Sequence, residues 1–342
     1  MISCGKECVC CDYPIHMDTY RGCEHGCLYC RVRKKYAIGK VTPMNNIKQL
    51  RNFIDGKRNA ETKWCDWNIP LQWGANSDPF QPCEREYGAS LECLKVFAET
   101  GYPFIITTKN PVMLTEQPYF DIIGQCNVVV HCSMVCNRYD KIEPNAPKYE
   151  DRLKAMEQLS KVVKRTIVRV QPYFLDAFKA VMEEIPRWAK AGIQGILIDG
   201  FCAQTKHPQM VRIGGFYFFS NDDLHKHFVK IKAKCHEYGL EFTCTEDGLQ
   251  WMSDNTTCCG TAGLDGFTPH TYNSDHIAAG DAVLTESMKQ VCPQPFKCIG
   301  QNQSWALHCK GKTFQELVDE QAEKSVRFRE TEKERLDGFT YK

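Results

Sequence analysis

The run RGCEHGCLYCRVR places Cys23, Cys27 and Cys30 within eight residues, spaced C-x3-C-x2-C. Gly22 and Gly26 give that loop the freedom to wrap around a bound group. A [4Fe–4S] cube normally takes a thiolate on each of its four irons, so three closely spaced cysteines leave one iron open to another ligand. A structural zinc knuckle is the competing reading. Zinc, however, takes four ligands in paired C-x2-C or C-x2-H spacings, and only one such pair is present here. His25 stands inside the loop as a further donor, but so tight a loop points it toward solvent or a supporting contact.

The triplet resembles the signature of the radical S-adenosylmethionine (SAM) superfamily. That resemblance implies an open iron that chelates the amino and carboxylate groups of SAM. It also implies reductive cleavage to a 5′-deoxyadenosyl radical, which takes a hydrogen atom from substrate. Iron and SAM would carry the difficult chemistry, while the protein positions them and excludes competing reactions. Tyr29 falls in the aromatic slot that lies against adenine in this superfamily.

More of the chain carries the likeness. WGANSDPFQPCERE resembles the segment after the second strand in the spore photoproduct lyase-like branch, and TTKNPVML (107–114), HCSM (131–134), EPNAP (143–147) and VRVQPYF (168–174) extend it over residues 15–200. Carried over, it implies that Asn76, Ser77 and Asp78 bind polar groups of SAM, Lys109 neutralises its carboxylate, and Ser133 offers a hydroxyl to its methionine moiety. One departure stands out: where those lyases place a hydrogen-donating Cys, this chain has Gly74-Ala75-Asn76. Cys83 is a candidate catalytic thiol reaching the pocket from the next helix, with an inert, partly buried thiol as the alternative.

The elements that must position these residues alternate in type. Strand-like runs at 15–20, 67–74, 104–108, 127–133, 166–173 and 195–199 are separated by helical stretches near 45–56, 84–100, 112–123, 147–162 and 177–191. Such alternation predicts parallel strands with helical crossovers. Six βα units suggest an α/β fold built as a partial (β/α)6 TIM-type barrel, although periodicity alone describes a doubly wound sheet equally well. The motifs all fall at C-terminal strand ends, where barrel sites are assembled from βα loops.

The domain reading is a Cys-rich N-terminal segment (1–14), the partial barrel (15–200) and a Cys-rich C-terminal extension (201–342) covering the barrel. The extension contains a helix near 222–238, a strand-like stretch at 240–245, a Cys- and Gly-rich loop at 253–266 and a charged helix at about 313–335. Cys244, Cys258 and Cys259 are candidate ligands of an auxiliary Fe–S cluster or zinc, with apolar core thiols as the alternative. Glu246 is a candidate catalytic or substrate contact, flanked by Asp247 and His270, with a cap or turn role as the alternative.

The 342 residues are 43% apolar, enough for a large buried core. Forty-three basic against 42 acidic residues exclude a global electrostatic footprint for nucleic acid, but leave room for a local one in RVRKKY (31–36). With no long apolar run and no leader-like start, the expected location is cytoplasmic, with no membrane partner and reduced thiols among the 21 cysteines. The first functional expectation is radical chemistry on a pyrimidine base in DNA, for modification or repair, with an external one-electron reductant such as flavodoxin or ferredoxin. The same cofactors acting on a peptide, amino acid or small metabolite form the second. An Fe–S electron carrier or scaffold forms the third.

Overall fold

The computed structural model describes residues 2–4, 11–30, 32, 40–44, 47–59, 62, 69–213, 215–246, 248–255, 257, 259–261, 263–267, 273–280, 282–284, 286–290, 297–299, 306–308 and 311–339. One sheet organises them. Its strands are β1 (Ile2–Cys4), β2 (Ile15–Met17), β3 (Leu71–Trp73), β4 (Phe104–Thr108), β5 (Val128–Ser133), β6 (Arg165–Tyr173), β7 (Gly195–Gly200) and β8 (Glu241–Cys244). They lie side by side in chain order, with β1 antiparallel to β2 and every later pair parallel. A doubly wound sheet reverses its order at a switch point, and this one does not. Because parallel crossovers are right-handed, sequential order puts the connecting helices on one face of the sheet. This is the order of a partial barrel.

All six expected strands are present. The stretch read at 240–245 as part of the extension joins the same sheet, pairing Glu241–Cys244 in parallel with Gly195–Ile198. The helices include α1 (Ile47–Ile54), α2 (Ala89–Thr100), α3 (Pro111–Leu114), α4 (Tyr119–Ile123), α5 (Tyr149–Leu159), α6 (Phe178–Lys190), α7 (Asn221–Glu237), α8 (Phe314–Gln321) and α9 (Arg327–Leu336). The single helix expected at 84–100 is divided at Gly88, whose φ of 61° ends a short turn at Glu84–Tyr87 before α2 begins.

Strand alternation then sorts the side chains. Phe104, Ile106, Val128, Val130, Val168, Ile196 and Ile198 pack with helix residues such as Leu94, Phe97, Met156, Ile185, Trp188 and Phe228 in the main core. Their neighbours Ile105, Val129, Ile167 and Leu197 point the other way and form a second, smaller apolar cluster with Tyr13 and Cys259. Each buried aliphatic side chain is worth roughly 1.5–3 kcal/mol. The small cluster closes the helix-free face toward the N-terminal strand ends. Above it the same face turns polar.

Candidate active site

The loop bearing Cys23, Cys27 and Cys30 follows β2 at the C-terminal end of the parallel strands, and two segments distant in sequence grip it. From one side Gln81 donates to the Gly22 carbonyl (3.1 Å) and accepts from the Glu24 amide (2.8 Å), while the Glu24 carboxylate accepts from the Cys83 amide (2.7 Å). From the other, Asn145 donates its side-chain amide to the Glu24 carbonyl (2.7 Å) and its backbone amide to the His25 carbonyl (3.2 Å), and Leu28 donates to the Ile142 carbonyl (2.9 Å). Gly22 and Gly26 take φ of 90° and 67°, the left-handed region that the tight wrap demands. The FQPCE and EPNAP strings therefore fasten the cysteine loop.

Asp78 is the centre of this fastening. Its Oδ1 accepts from the Thr108 hydroxyl (2.7 Å) and the Phe80 amide (2.9 Å), its Oδ2 accepts from the Lys109 amide (2.6 Å), and His25 Nε2 lies 3.0 Å from Oδ2. Three protein donors thus hold the carboxylate, with the His25 ring beside it. The side chain joins β4 to the cysteine loop. Burial alone would raise its pKa, but His25 and the donors from Lys109 and Thr108 outweigh that and hold the carboxyl below its ordinary range. His25 has its other nitrogen 3.2 Å from the Asn145 carbonyl, so the ring lies between Asp78 and the EPNAP segment.

Asn76 and Ser77 are held in the same manner. Asp18, just past β2, accepts from the Asn76 amide and side-chain nitrogen (2.9 and 2.8 Å) and from the Ser77 amide (3.0 Å). The Ser77 hydroxyl donates to the Tyr20 carbonyl at 2.7 Å. Gly74, with φ of 95°, lets β3 approach β4 so closely that a Cβ there would sit 2.3 Å from the Thr107 carbonyl oxygen. No side chain fits at that position without a shift of the backbone. Glu84, at the end of the same motif, accepts from the Ser90 and Leu91 amides at the start of α2 (both 2.8 Å) and from the Tyr119 and Tyr20 phenols.

A buried charge cluster lies on the other flank. Glu143 sits 2.6 Å from Arg152 Nη1 and 3.3 Å from Lys109 Nζ, and accepts from the Tyr29 phenol. Lys109 and Arg152 outweigh the raising effect of burial and keep Glu143 ionised below the ordinary carboxylate range. The Lys109 ammonium stands 5.5 Å from the centre of the Tyr29 ring, within cation–π reach. Arg152 also donates to the Ser133 carbonyl (3.0 Å), and the Ser133 hydroxyl donates to the Gln171 carbonyl (3.2 Å). Tyr29, Lys109 and Ser133 thus share one network bordering the cysteine loop. Asp18, Gln81, Glu84, Glu143 and Arg152 had no assigned role in the sequence reading. Glu143, Gln81 and Glu84 stood inside recognised strings, whereas Arg152 gave no local signal.

The remaining expectations separate. Cys83 is buried beside Tyr20 and Val41, where burial with Glu24 and Glu84 pushes its thiol up to about 12. Glu246 is buried and accepts from the Gly200 amide at the end of β7. Of the candidate auxiliary ligands, Cys244 packs in the helix-side core and Cys259 in the cluster on the opposite face of the sheet. Cys258, Asp247, His270 and most of RVRKKY lie outside the described residues.

Cys27 lies within electrostatic reach of both Cys23 and Cys30. Among the described residues, no three His, Cys, Asp or Glu side chains converge as ligands of one metal ion. Burial pushes the Cys27 thiol up to about 11, so metal uptake there must displace a proton.

No family model matches the chain. Uncharacterized proteins of Mycobacterium tuberculosis and Mycobacterium bovis are 22% identical over 195 residues, spanning 54% of this chain and 57% of their own length. Spore photoproduct lyase complexed with dinucleoside spore photoproduct superposes with a TM-score of 0.51 at 13% identity, over 68% of this chain and 77% of that one. A mutant of that lyase with bound AdoMet and the dinucleoside photoproduct gives 0.50 at 14% identity, over 66% and 73%. Streptococcus suis SuiB bound to S-adenosylmethionine is a more distant match, with a TM-score of 0.43 at 11% identity, over 69% and 51%. The chain is therefore similar in fold to spore photoproduct lyase.

Proposed function

We propose that this protein is a radical SAM enzyme whose single [4Fe–4S] cluster is held by Cys23, Cys27 and Cys30 and whose substrate is a pyrimidine base in DNA. The observation that carries the reading is the double grip on the cysteine loop, which keeps three thiols together at the C-terminal strand ends beside Tyr29, Lys109 and Ser133. When bound, the cluster and SAM supply one-electron cleavage to methionine and a 5′-deoxyadenosyl radical that can abstract hydrogen. The chain's own residues do the rest. Lys109 offers its ammonium to the SAM carboxylate, with Glu143 limiting its swing. Tyr29 presents a ring for adenine, and Ser133 a hydroxyl for the methionine moiety. Asp78, His25 and Asn145 keep the loop in place. The base in DNA is favoured over a peptide or metabolite by the lyase-like strings around the site. An external low-potential reductant, of the flavodoxin or ferredoxin class, would deliver the electron.

The test is anoxic reconstitution with iron and sulfide followed by reduction. About four irons per chain and release of 5′-deoxyadenosine from SAM are expected. Absence of cleavage in protein holding its full iron content would overturn the enzyme reading. Deuterated thymine in an oligonucleotide should pass label into deoxyadenosine, and label arriving only from a peptide or metabolite would replace the DNA substrate.

A further inference from the structure

Leu28 stands between Cys27 and Cys30 in the cysteine loop, and it is 64% exposed. A lone exposed leucine is ordinary on a protein surface, so its setting decides whether it means anything. The Leu28 amide donates to the Ile142 carbonyl (2.9 Å), which seats this part of the loop against the segment after β5. Ile142 is half-buried there, and exposed Pro144 lies against Gly26 of the same loop. An apolar patch therefore reaches solvent between two of the three cysteines.

The charges around that patch are basic. Arg138 and Lys141, on the turn Asn137–Lys141 just before Ile142, are exposed. Lys148 is exposed too, and the bond from the Tyr149 amide to the Asp140 carboxylate (2.9 Å) brings it beside that turn. Among the described residues Lys141 and Lys148 make no ion pair. The carboxylates nearby are engaged within the protein: Asp140 in the bond just named, Glu24 with the Cys83 amide, Glu143 with Arg152 and Lys109, while Asp176 offsets Arg138 at 3.5 Å. In residues 21–41, which carry the loop, Glu24 is the sole acid against six Lys and Arg. The whole chain is balanced at 43 basic and 42 acidic residues, so the basic character is local to this face.

We propose that this face docks the electron donor, and that the donor is a low-potential flavoprotein whose exposed flavin edge is ringed by carboxylates. Electron transfer weakens steeply with distance, so the donor must approach where the cysteine loop itself reaches solvent. Leu28 meets the apolar dimethylbenzene edge of the flavin, while Lys141, Lys148 and Arg138 attract the surrounding carboxylates from the rim. A nucleic-acid strand would find cations here but would leave Leu28 facing phosphate and water, so the apolar centre favours a protein. The step served is the passage of one electron: the flavin is oxidised, the cluster is reduced, and no bond forms or breaks. The inference rests on the proposed function, and deepens it by naming the docking face and the class of donor.

The test is calorimetric titration of the cluster-loaded full chain with oxidised flavodoxin at about 20 mM and about 200 mM salt. Saturable binding is expected, weaker by about tenfold at the higher salt. Lys141→Glu combined with Lys148→Glu should weaken it by about tenfold at low salt, while SAM cleavage driven by dithionite stays within about twofold. Leu28→Ser, checked for full iron content, should also weaken binding by about tenfold, and this loss should persist at high salt because it is not electrostatic. Exposed lysines tolerate substitution, so the double variant keeps the test open if the Leu28 change disturbs the loop. No saturable binding at low salt, or binding indifferent to Leu28 and to both lysines, would overturn the inference. So would an oligonucleotide or a ferredoxin that binds with this residue dependence where flavodoxin does not. Failure of fully iron-loaded wild type to cleave SAM with dithionite is the separate failure of the proposed function, since the binding readout does not depend on cleavage.

Discussion

At the scale of single residues, side chains that read as cofactor contacts serve first to hold the cysteine loop. Asp78 is bound by four groups from three segments, and only its position before a proline was visible in the sequence. Asp78→Asn keeps the shape but removes the charge opposite His25 and turns one oxygen into a donor facing the Lys109 amide. We expect a loss of about 1.5–3 kcal/mol in urea unfolding, together with lowered iron retention. Unchanged stability with SAM affinity alone reduced would restore a direct cofactor role. Gly74 makes a second case. Its positive φ and the Thr107 carbonyl 2.3 Å from an added Cβ mean that Gly74→Ala should cost more than about 1 kcal/mol by the same measurement. The steric bar at Gly74 is something that a one-letter string does not display. The cysteine triplet, by contrast, was legible because spacing alone brings Cys23, Cys27 and Cys30 onto one loop.

At the scale of elements, the period of the apolar residues marked every strand from β2 to β7, because a buried parallel strand is a short β-branched run between helical patterns. It did not show which runs would share a sheet. The segment at 240–245 looked like part of an extension until its pairing with β7 made it the eighth strand, and that pairing also turned Cys244 into the helix-side core, away from Cys259. The grip on the cysteine loop is likewise an element-level property, built by the loop after β3 on one side and the segment after β5 on the other. Gln81→Ala removes two bonds of the first grip and Asn145→Ala the side-chain bond of the second. Each change lies outside the sheet core, so the melting temperature should move by only a few degrees, at about 1 kcal/mol per hydrogen bond. Iron loss to a chelator should speed up in both single variants and most in the double variant. A double variant that holds iron as well as wild type would show that the loop keeps its shape unaided.

At the scale of the whole molecule, a sequentially ordered parallel sheet gathers its strand ends on one rim, and the chain uses buried carboxylates to join the rim's loops to one another. Asp78 ties the cysteine loop to β4, and Glu143 ties Lys109 after β4 to Arg152 on α5. Both carboxyls are held below their ordinary values, which fixes the sign of the pH dependence. A depressed folded-state pKa contributes stability that is fully present above the unfolded value of about 4, and this contribution is lost as pH falls through the lower folded value. Acid should therefore destabilise the rim through these two groups, while neutral and mildly alkaline conditions leave their contribution intact. Glu143→Gln removes one of them. At pH 7 it should lose about 3 kcal/mol, because Arg152 keeps a buried charge without its counter-ion. Below pH 4 the gap between variant and wild type should narrow as wild-type Glu143 takes up its proton. Urea unfolding of both proteins from pH 7 to pH 3 measures this directly, and a gap that stays constant across the range would mean that Glu143 is not ionised in the folded protein.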